Sequence, residues 1–343
     1  MRRTLVPHTN MQQKKILIRL PNWLGDLVMS TAFVQAINET FPGSIIDLIT
    51  KKGIDSLLGN FPSHNKQYIF SKQQYKGLKG AWKFGKEIAA KEKYDLFFCL
   101  PDSLSSAVMA KATGATKRIG YKKELRSLLL TNSYNKKENV HRVEEYVDLL
   151  QQFTKTKITE VGVHLNAATT NKRNALIINI NSEASSRRLP KEKAISIIST
   201  IRKNVAEEII LIGSEKEKPF VDEVYNSLTD KKNITNLAGQ TDIPQLIELM
   251  ASCKVMLTTD SGPAHLANAT GLQTIVLFGA GNENNTAPYN IINRKIIRLG
   301  QLSCEPCTKN TCQRYGIPEC LLRLDENIIV TAVKEKLNTN IHS

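Results

Sequence analysis

Short apolar runs alternate along the chain with stretches in which apolar residues recur every three or four positions. Residues 16–20, Ile-Leu-Ile-Arg-Leu, form the first such run, bounded by Pro21 and Asn22. A run this short with a turn signal after it predicts a strand. Apolar residues return at helical spacing from 27 to about 39, and 45–49 predicts a second strand. Another strand is predicted at 94–100, entered from a helix near 82–91. Val143, Tyr146, Val147 and Leu150 share one face of a helix over 141–153. Between 154 and 173 the composition shifts to Thr, Lys and Asn, which places an interdomain linker there. The alternation then restarts. Strands are predicted at 176–180, 208–213, 234–238, 254–258 and 274–278, and helices at 191–203, 219–228, 243–251, 263–269 and 325–337.

Strand and helix alternating on both sides of a linker predict an α/β protein of two Rossmann-like domains facing across a cleft. The assigned divisions are a basic extension over 1–14, a first domain over 15–165 and a second over 166–343. The second carries a Cys-rich segment at 301–322 and a C-terminal helix. Met11 offers a second start, so the polar beginning reads as an extension or a misassigned start rather than a targeting signal.

Composition narrows the class. With 41% hydrophobic and 23% charged residues, the 343-residue chain can bury a sizeable core. No apolar run approaches the roughly 18 residues of a membrane span. The net charge is +15, and it is unevenly placed. Residues 1–150 hold 24 basic and 13 acidic side chains, a net of +11, against +4 for the remainder. A basic first half suits an acidic partner: nucleic acid, an anionic membrane surface or a phosphorylated substrate. The chain shows no zinc-finger, RRM or KH pattern and has only 6% aromatic residues, which disfavours a nucleic-acid-binding protein.

Cys99 and Cys253 sit singly in apolar runs and read as core residues. The other four cysteines cluster as Cys304-x2-Cys307-x4-Cys312-x7-Cys320. In the reducing compartment expected here, that cluster points to a structural zinc or iron–sulfur site rather than to disulfides.

Neither Gly-x-Gly-x-x-Gly after the first strand nor a Gly-Lys-Ser/Thr loop occurs, which demotes simple dehydrogenase and P-loop readings. Four strand-to-helix turns remain as candidates. Pro21-Asn22-Trp23-Leu24-Gly25-Asp26 follows the first strand, and its Asp26 either caps the helix or serves as a general base. Thr259-Asp260-Ser261-Gly262-Pro263-Ala264-His265 opens a helix whose free N–H groups favour a phosphate. Arg187 and Arg188 stand in a third turn and could clamp a diphosphate. Ser214 and Glu215 stand in a fourth, where a carboxylate could accept ribose hydroxyls.

Taken in order, these segments resemble glycosyltransferase family 9, the bacterial lipopolysaccharide heptosyltransferases. The resemblance runs from about Lys15 to Leu337. It rests on the opening Ile16-Leu17-Ile18-Arg19-Leu20-Pro21-Asn22-Trp23-Leu24-Gly25-Asp26 and on Asp260-Ser261-Gly262-Pro263-Ala264-His265. Ile212-Gly213-Ser214 and Asn236-Leu237-Ala238-Gly239-Gln240-Thr241 add to it, as does the four-cysteine tail. The resemblance implies a GT-B fold and a metal-independent, inverting transfer from ADP-heptose to an inner-core lipopolysaccharide acceptor.

By the same resemblance, Asp26 is the base that deprotonates the acceptor hydroxyl. Arg187 neutralises the leaving diphosphate. Its family counterpart is a Lys-x-Trp-Pro that reads Arg187-Arg188-Leu189-Pro190 here, so Arg188 stays open for that role. Thr259, Asp260, Ser261, Gly262 and His265 surround the donor together with Arg188, Ser214 and Glu215. Asn22, Trp23, Arg118, Lys122, Lys123 and Arg126 are the candidate acceptor and membrane contacts. No catalytic cofactor and no nucleic-acid partner are implied, and the expected place is cytoplasmic, at the inner face of the inner membrane. The alternatives are another nucleotide-sugar transferase of the same fold, or a basic nucleic-acid-binding protein.

Overall fold

The computed structural model of the chain describes residues 13–168 and 172–338. The extension over 1–12, with both candidate starts, lies outside the described residues, as do 169–171 of the predicted linker. Two six-stranded sheets organise the described chain, and every strand pair in them is parallel. The first holds β1 (Lys15–Arg19), β2 (Ile45–Lys51), β3 (Gln67–Phe70), β4 (Leu96–Cys99), β5 (Lys117–Tyr121) and β6 (Asn132–Tyr134), in the order 3-2-1-4-5-6. The second holds β7 (Ala175–Asn179), β8 (Glu208–Leu211), β9 (Ile234–Asn236), β10 (Val255–Thr259), β11 (Gln273–Phe278) and β12 (Arg294–Arg298), in the order 9-8-7-10-11-12. Both orders are the doubly wound one, which leaves a ligand crevice beyond the carboxyl ends of the strands where the winding reverses. The reversals fall between β1 and β4 and between β7 and β10.

The helices are α1 (Leu24–Met29), α2 (Thr31–Thr40), α3 (Gly77–Ala89), α4 (Leu104–Thr113), α5 (Arg142–Thr154), α6 (Lys191–Asn204), α7 (Lys218–Ser227), α8 (Ile243–Ser252), α9 (Gly262–Ala269), α10 (Glu283–Thr286), α11 (Glu319–Leu322) and α12 (Glu326–Asn338). The central strands are largely apolar on both faces and, Lys15 apart, buried, as helices on both faces require. Local chemistry sets the helix ends. A capping box of Asp242 and Gln245 opens α8, Ser103 accepts from the Ser106 N–H at the start of α4, and Gly114 at φ 71 ends it.

The first predicted helix begins earlier than its apolar spacing implies and is broken once. The Leu27 N–H bonds the Trp23 carbonyl, so Gly25 and Asp26 are already helical. The Ser30 hydroxyl donates to the Leu27 carbonyl at 2.7 Å, and the axis restarts at Thr31.

The crossing between the two halves has no helix or strand among its described residues, and it is pinned on both sides. Asn166 N donates to Asn60 O at 2.8 Å, and Leu165 N donates to Ala269 O at 3.1 Å. One apolar cluster runs from Ile16, Leu27 and Phe33 through Leu165 to Ile177, Met256 and Leu266, so the two halves share a core. A second cluster lies between β7–β11 and helices α6 and α12, and a third between the first sheet and α3 and α4. Cys99 and Cys253 are buried in these clusters as expected, and burial pushes both thiols up to about 11.

Candidate active site

The two signature turns meet. α1 leaves β1 at the switch point of the first sheet, and α9 leaves β10 at that of the second. The two helices pack against each other by their N-terminal turns. Glycine makes this approach possible on both sides. A Cβ on Gly25 would stand 2.8 Å from His265 Cδ2, and one on Gly262 would stand 3.0 Å from Leu24 Cδ2.

Asp26 is the third residue of α1 and makes no capping bond, so the cap reading fails and its carboxylate points to α5 instead. Its Oδ1 lies 3.5 Å from Arg142 Nε, and Tyr146 stands beside it. Burial raises the Asp26 carboxyl above the usual carboxylate range, and Arg142 holds back the rise. Arg142 Nη1 also donates to both Glu145 carboxylate oxygens at 2.8 Å. Glu145 takes Lys136 at 2.7 Å, Lys136 reaches Asp102 at 3.0 Å, and Asp102 lies 3.7 Å from Arg126. Charges of alternating sign therefore run from Asp26 into the first half.

His265 is buried. It faces Gly25, and its Nδ1 finds no partner among the described residues. Burial pushes the imidazole down to about 3, helped by His141 and Arg187 nearby, so it is neutral at physiological pH. Whatever His265 contributes near the donor, it contributes as a neutral ring. His141 caps α5, accepting from Val143 N at 3.2 Å through Nδ1, and its Nε2 lies 2.8 Å from the Ala287 carbonyl of the second half. The Tyr289 ring lies tilted against it, centroids 5.0 Å apart, and the Tyr289 hydroxyl donates to Glu144.

The remaining predicted donor residues lie along the carboxyl edge of the second sheet, beyond β8, β7 and β10 in spatial order. Arg187 Nη1 donates to Asp260 Oδ2 at 3.3 Å. Burial raises the Asp260 carboxyl, and Arg187 opposes it. The backbone of Gly281, beyond β11, covers the same oxygen, where a Cβ would come within 2.0 Å. Arg188 turns away: it donates to Ser182 O at 3.1 Å and lies over the Phe220 ring. Asp260 is therefore faced by Arg187, not Arg188. Thr259 is fully buried with its hydroxyl donating to Asn181 O, which removes it from a ligand's reach. Ser261 accepts from Asn179 Nδ2 at 3.0 Å. The Ser214 hydroxyl donates to Glu217 at 2.7 Å, and Glu215 is exposed beside Gly239.

Several acceptor candidates are structural. Asn22 accepts from Arg19 Nη2 at 2.5 Å, and the buried Arg19 also donates to Leu20 O, so together they brace the turn that precedes α1. Arg126, at 1% exposure, donates to Tyr121 O at 2.7 Å and Pro101 O at 3.2 Å, and cannot touch an acceptor. Arg118 donates to Leu129 O and Ala115 O, both at 2.9 Å. Trp23, Lys122 and Lys123 are exposed.

The four clustered cysteines do line one cavity of about 20 Å³, so their donor chemistry suits zinc or a cluster. Among the described residues, however, no three Cys, His, Asp or Glu side chains gather closely enough to hold a metal ion. The expected four-thiolate centre is not assembled. All four are free thiols, and burial pushes Cys320 up to about 11.

Sequence spacing missed Arg142, Glu145, His141 and Gly281. The first three stand at the start of α5, where acidic and basic residues read as ordinary helix-end charge. Gly281 lies outside every motif.

The family model for glycosyltransferase family 9 (heptosyltransferase) matches residues 81–317. A lipooligosaccharide heptosyltransferase 2 of Campylobacter jejuni is 27% identical over 335 residues, covering 95% of this chain and 99% of that one. The solved ADP-heptose lipopolysaccharide heptosyltransferase II of Escherichia coli superposes with a TM-score of 0.80 at 22% identity, over 94% of this chain and 98% of that one. An Escherichia coli heptosyltransferase solved with ADP-2-deoxy-2-fluoro heptose superposes with a TM-score of 0.73 at 14% identity, over 94% and 99%. The doubly wound pair of sheets is thus the GT-B fold, and with the model matching more than half its length, the chain belongs to glycosyltransferase family 9, the heptosyltransferases.

Proposed function

We propose that the enzyme transfers a heptose from ADP-heptose to an inner-core lipopolysaccharide acceptor with inversion, and that Asp26 and Arg187 carry the chemistry. The observation behind this reading is the meeting of α1 with α9, which sets the turn of Asp26, a half-buried carboxylate of the first sheet, against His265 on the helix that follows Asp260, itself paired with Arg187. Asp26 takes the proton of the acceptor hydroxyl. That oxygen attacks the anomeric carbon from the face opposite the diphosphate. The bond from the anomeric carbon to the phosphate oxygen breaks, and its electron pair leaves on ADP.

Each residue has a physical reason for its role. A carboxyl raised by burial is a stronger base than an exposed one, and Arg142 opposes that rise by favouring the ionised form. The leaving diphosphate needs preorganised positive charge, which Arg187 and the N-terminal N–H groups of α9 supply. Asp260 holds the guanidinium in place, and neutral His265 fills the joint between the helices.

The acceptor side is the basic face of the first half. Leu125 and Leu128 stand 69% and 83% exposed beside Lys122 and Lys123. Exposed Leu78 and Trp82 lie on α3 among Lys76, Lys79, Lys83 and Lys86. α3 packs along α4, and α4 against the turn that carries Leu125 and Leu128, so these groups share one side of the first sheet. No helix among the described residues is long and apolar enough to cross a membrane. We read this side as the contact with the anionic inner face of the inner membrane, where the acceptor is presented.

The test is transfer from ADP-heptose to truncated lipopolysaccharides, with products weighed by mass spectrometry. Asp26→Asn is expected to lower turnover by about 10²–10⁴ while ADP binding persists. Near-normal turnover by this variant would remove Asp26 from the chemistry, and no product with the unmodified enzyme would remove the substrate pair.

A further inference from the structure

Resting on the donor reading above, we propose that the Cys-rich segment forms the outer wall of the pocket for the sugar end of the donor, and that Lys309 is its contact with the ligand. A cavity of about 260 Å³ opens beside Arg187 and is walled by Gly281, Asn282 and Asn285 on one side and by Thr308, Lys309 and Asn310 on the other. Its lining holds two cations, three amides and two hydroxyls, and no carboxylate. Such a wall suits a ligand that is both anionic and rich in hydroxyls, as a sugar diphosphate is. Lys309 has no ion-pair partner among the described residues, and its side chain is exposed at the cavity.

The wall is held to the turn that carries Arg187. Ser186 N donates to Asn310 O at 3.2 Å, and Ser186 Oγ donates to Lys309 O at 2.5 Å. Ser185 Oγ donates to Asn310 O at 3.2 Å. From the other side, Thr308 N donates to Ala280 O at 2.8 Å. Thr308 is β-branched yet sits at φ 53, a left-handed conformation that such residues rarely adopt. Strain of this kind persists where surrounding bonds over-determine it, and it gathers at ligand sites. Ser186 and Ala280 also line the small cavity of the four thiols, which therefore lies directly behind this wall. The segment thus fixes the place of Lys309 relative to Arg187.

The experiment is titration of AMP, ADP and ADP-heptose into unmodified enzyme, Lys309→Gln and Lys309→Arg by calorimetry. Loss of a charged hydrogen bond predicts that Lys309→Gln binds ADP-heptose roughly 10- to 100-fold more weakly. AMP affinity should be unchanged, and Lys309→Arg should recover most of the loss. Equal ADP-heptose binding by Lys309→Gln and the unmodified enzyme would overturn this inference alone. An equal loss for AMP would also overturn it, because the lysine would then act at the nucleotide end. Failure of the unmodified enzyme to bind ADP-heptose would overturn the donor reading and this inference with it.

Discussion

His265 shows how one residue's chemistry is set by what encloses it. In the sequence it stands at a helix start beside Asp, Ser and Gly, as a phosphate ligand would. Enclosed against Gly25, with its pKa near 3, it stays neutral through the physiological range. The sign of the consequence follows from linkage. The unfolded chain takes a proton on this histidine near its ordinary value of 6.5, and the folded one does not until about 3. The stability tied to neutral His265 is therefore full above 6.5 and is lost as pH falls from there toward 3. In His265→Gln, melting temperature is expected to fall less steeply between pH 6.5 and 4. A slope equal to that of the unmodified protein would contradict the burial argument. His141 is pushed down in the same direction by burial, so part of the slope should remain. The arginines differ in the same way: the sequence could not separate Arg187 from Arg188, or an accessible arginine from Arg126. Which of them meets a ligand depends on the direction each side chain takes from its turn.

At the scale of elements, the joint between α1 and α9 carries the sharpest expectation. Gly25 is helical, so alanine there would ordinarily stabilise by up to about 1 kcal/mol. Contact with His265 reverses the sign, because the new Cβ would stand 2.8 Å from the ring. Gly25→Ala is expected to destabilise by about 1–3 kcal/mol in denaturant unfolding and to slow transfer. A stabilised variant would show that the helices do not meet as described. Most long elements were legible, since buried parallel strands are plain apolar runs and their covering helices keep a helical period. β3, β5, β6 and β12 were not; β5, Lys-Arg-Ile-Gly-Tyr, opens on two charges and holds a glycine. β6 is three residues, Asn-Ser-Tyr, and β3 and β12 carry polar or charged positions at or near sheet edges. α4 escaped as well, because its small residues Ala107, Ala110 and Ala112 give a weak periodic signal.

For the whole molecule, the proposed membrane side makes an orientation testable. The enzyme is expected to co-sediment with vesicles containing phosphatidylglycerol and not with pure phosphatidylcholine, and salt should release it. Replacing Trp82, Leu125 and Leu128 together by serine should weaken this binding by at least tenfold while ADP binding is kept. Retained vesicle binding by that variant would place the contact elsewhere. The sequence by itself determined the α/β class, the two halves, the uneven charge and the turns after β1, β7, β8 and β10. These follow from local periodicity and from short motifs that act within a few residues. Only the tertiary structure decided that Asp26 is no cap, that Arg142 and Glu145 stand behind it, and that His265 is neutral. It also decided that the four thiols share a cavity without closing on a centre, and that Lys309 and Arg187 line one cavity. All of these depend on residues far apart in the chain, whose burial and charge environment exist only once the two sheets are packed together.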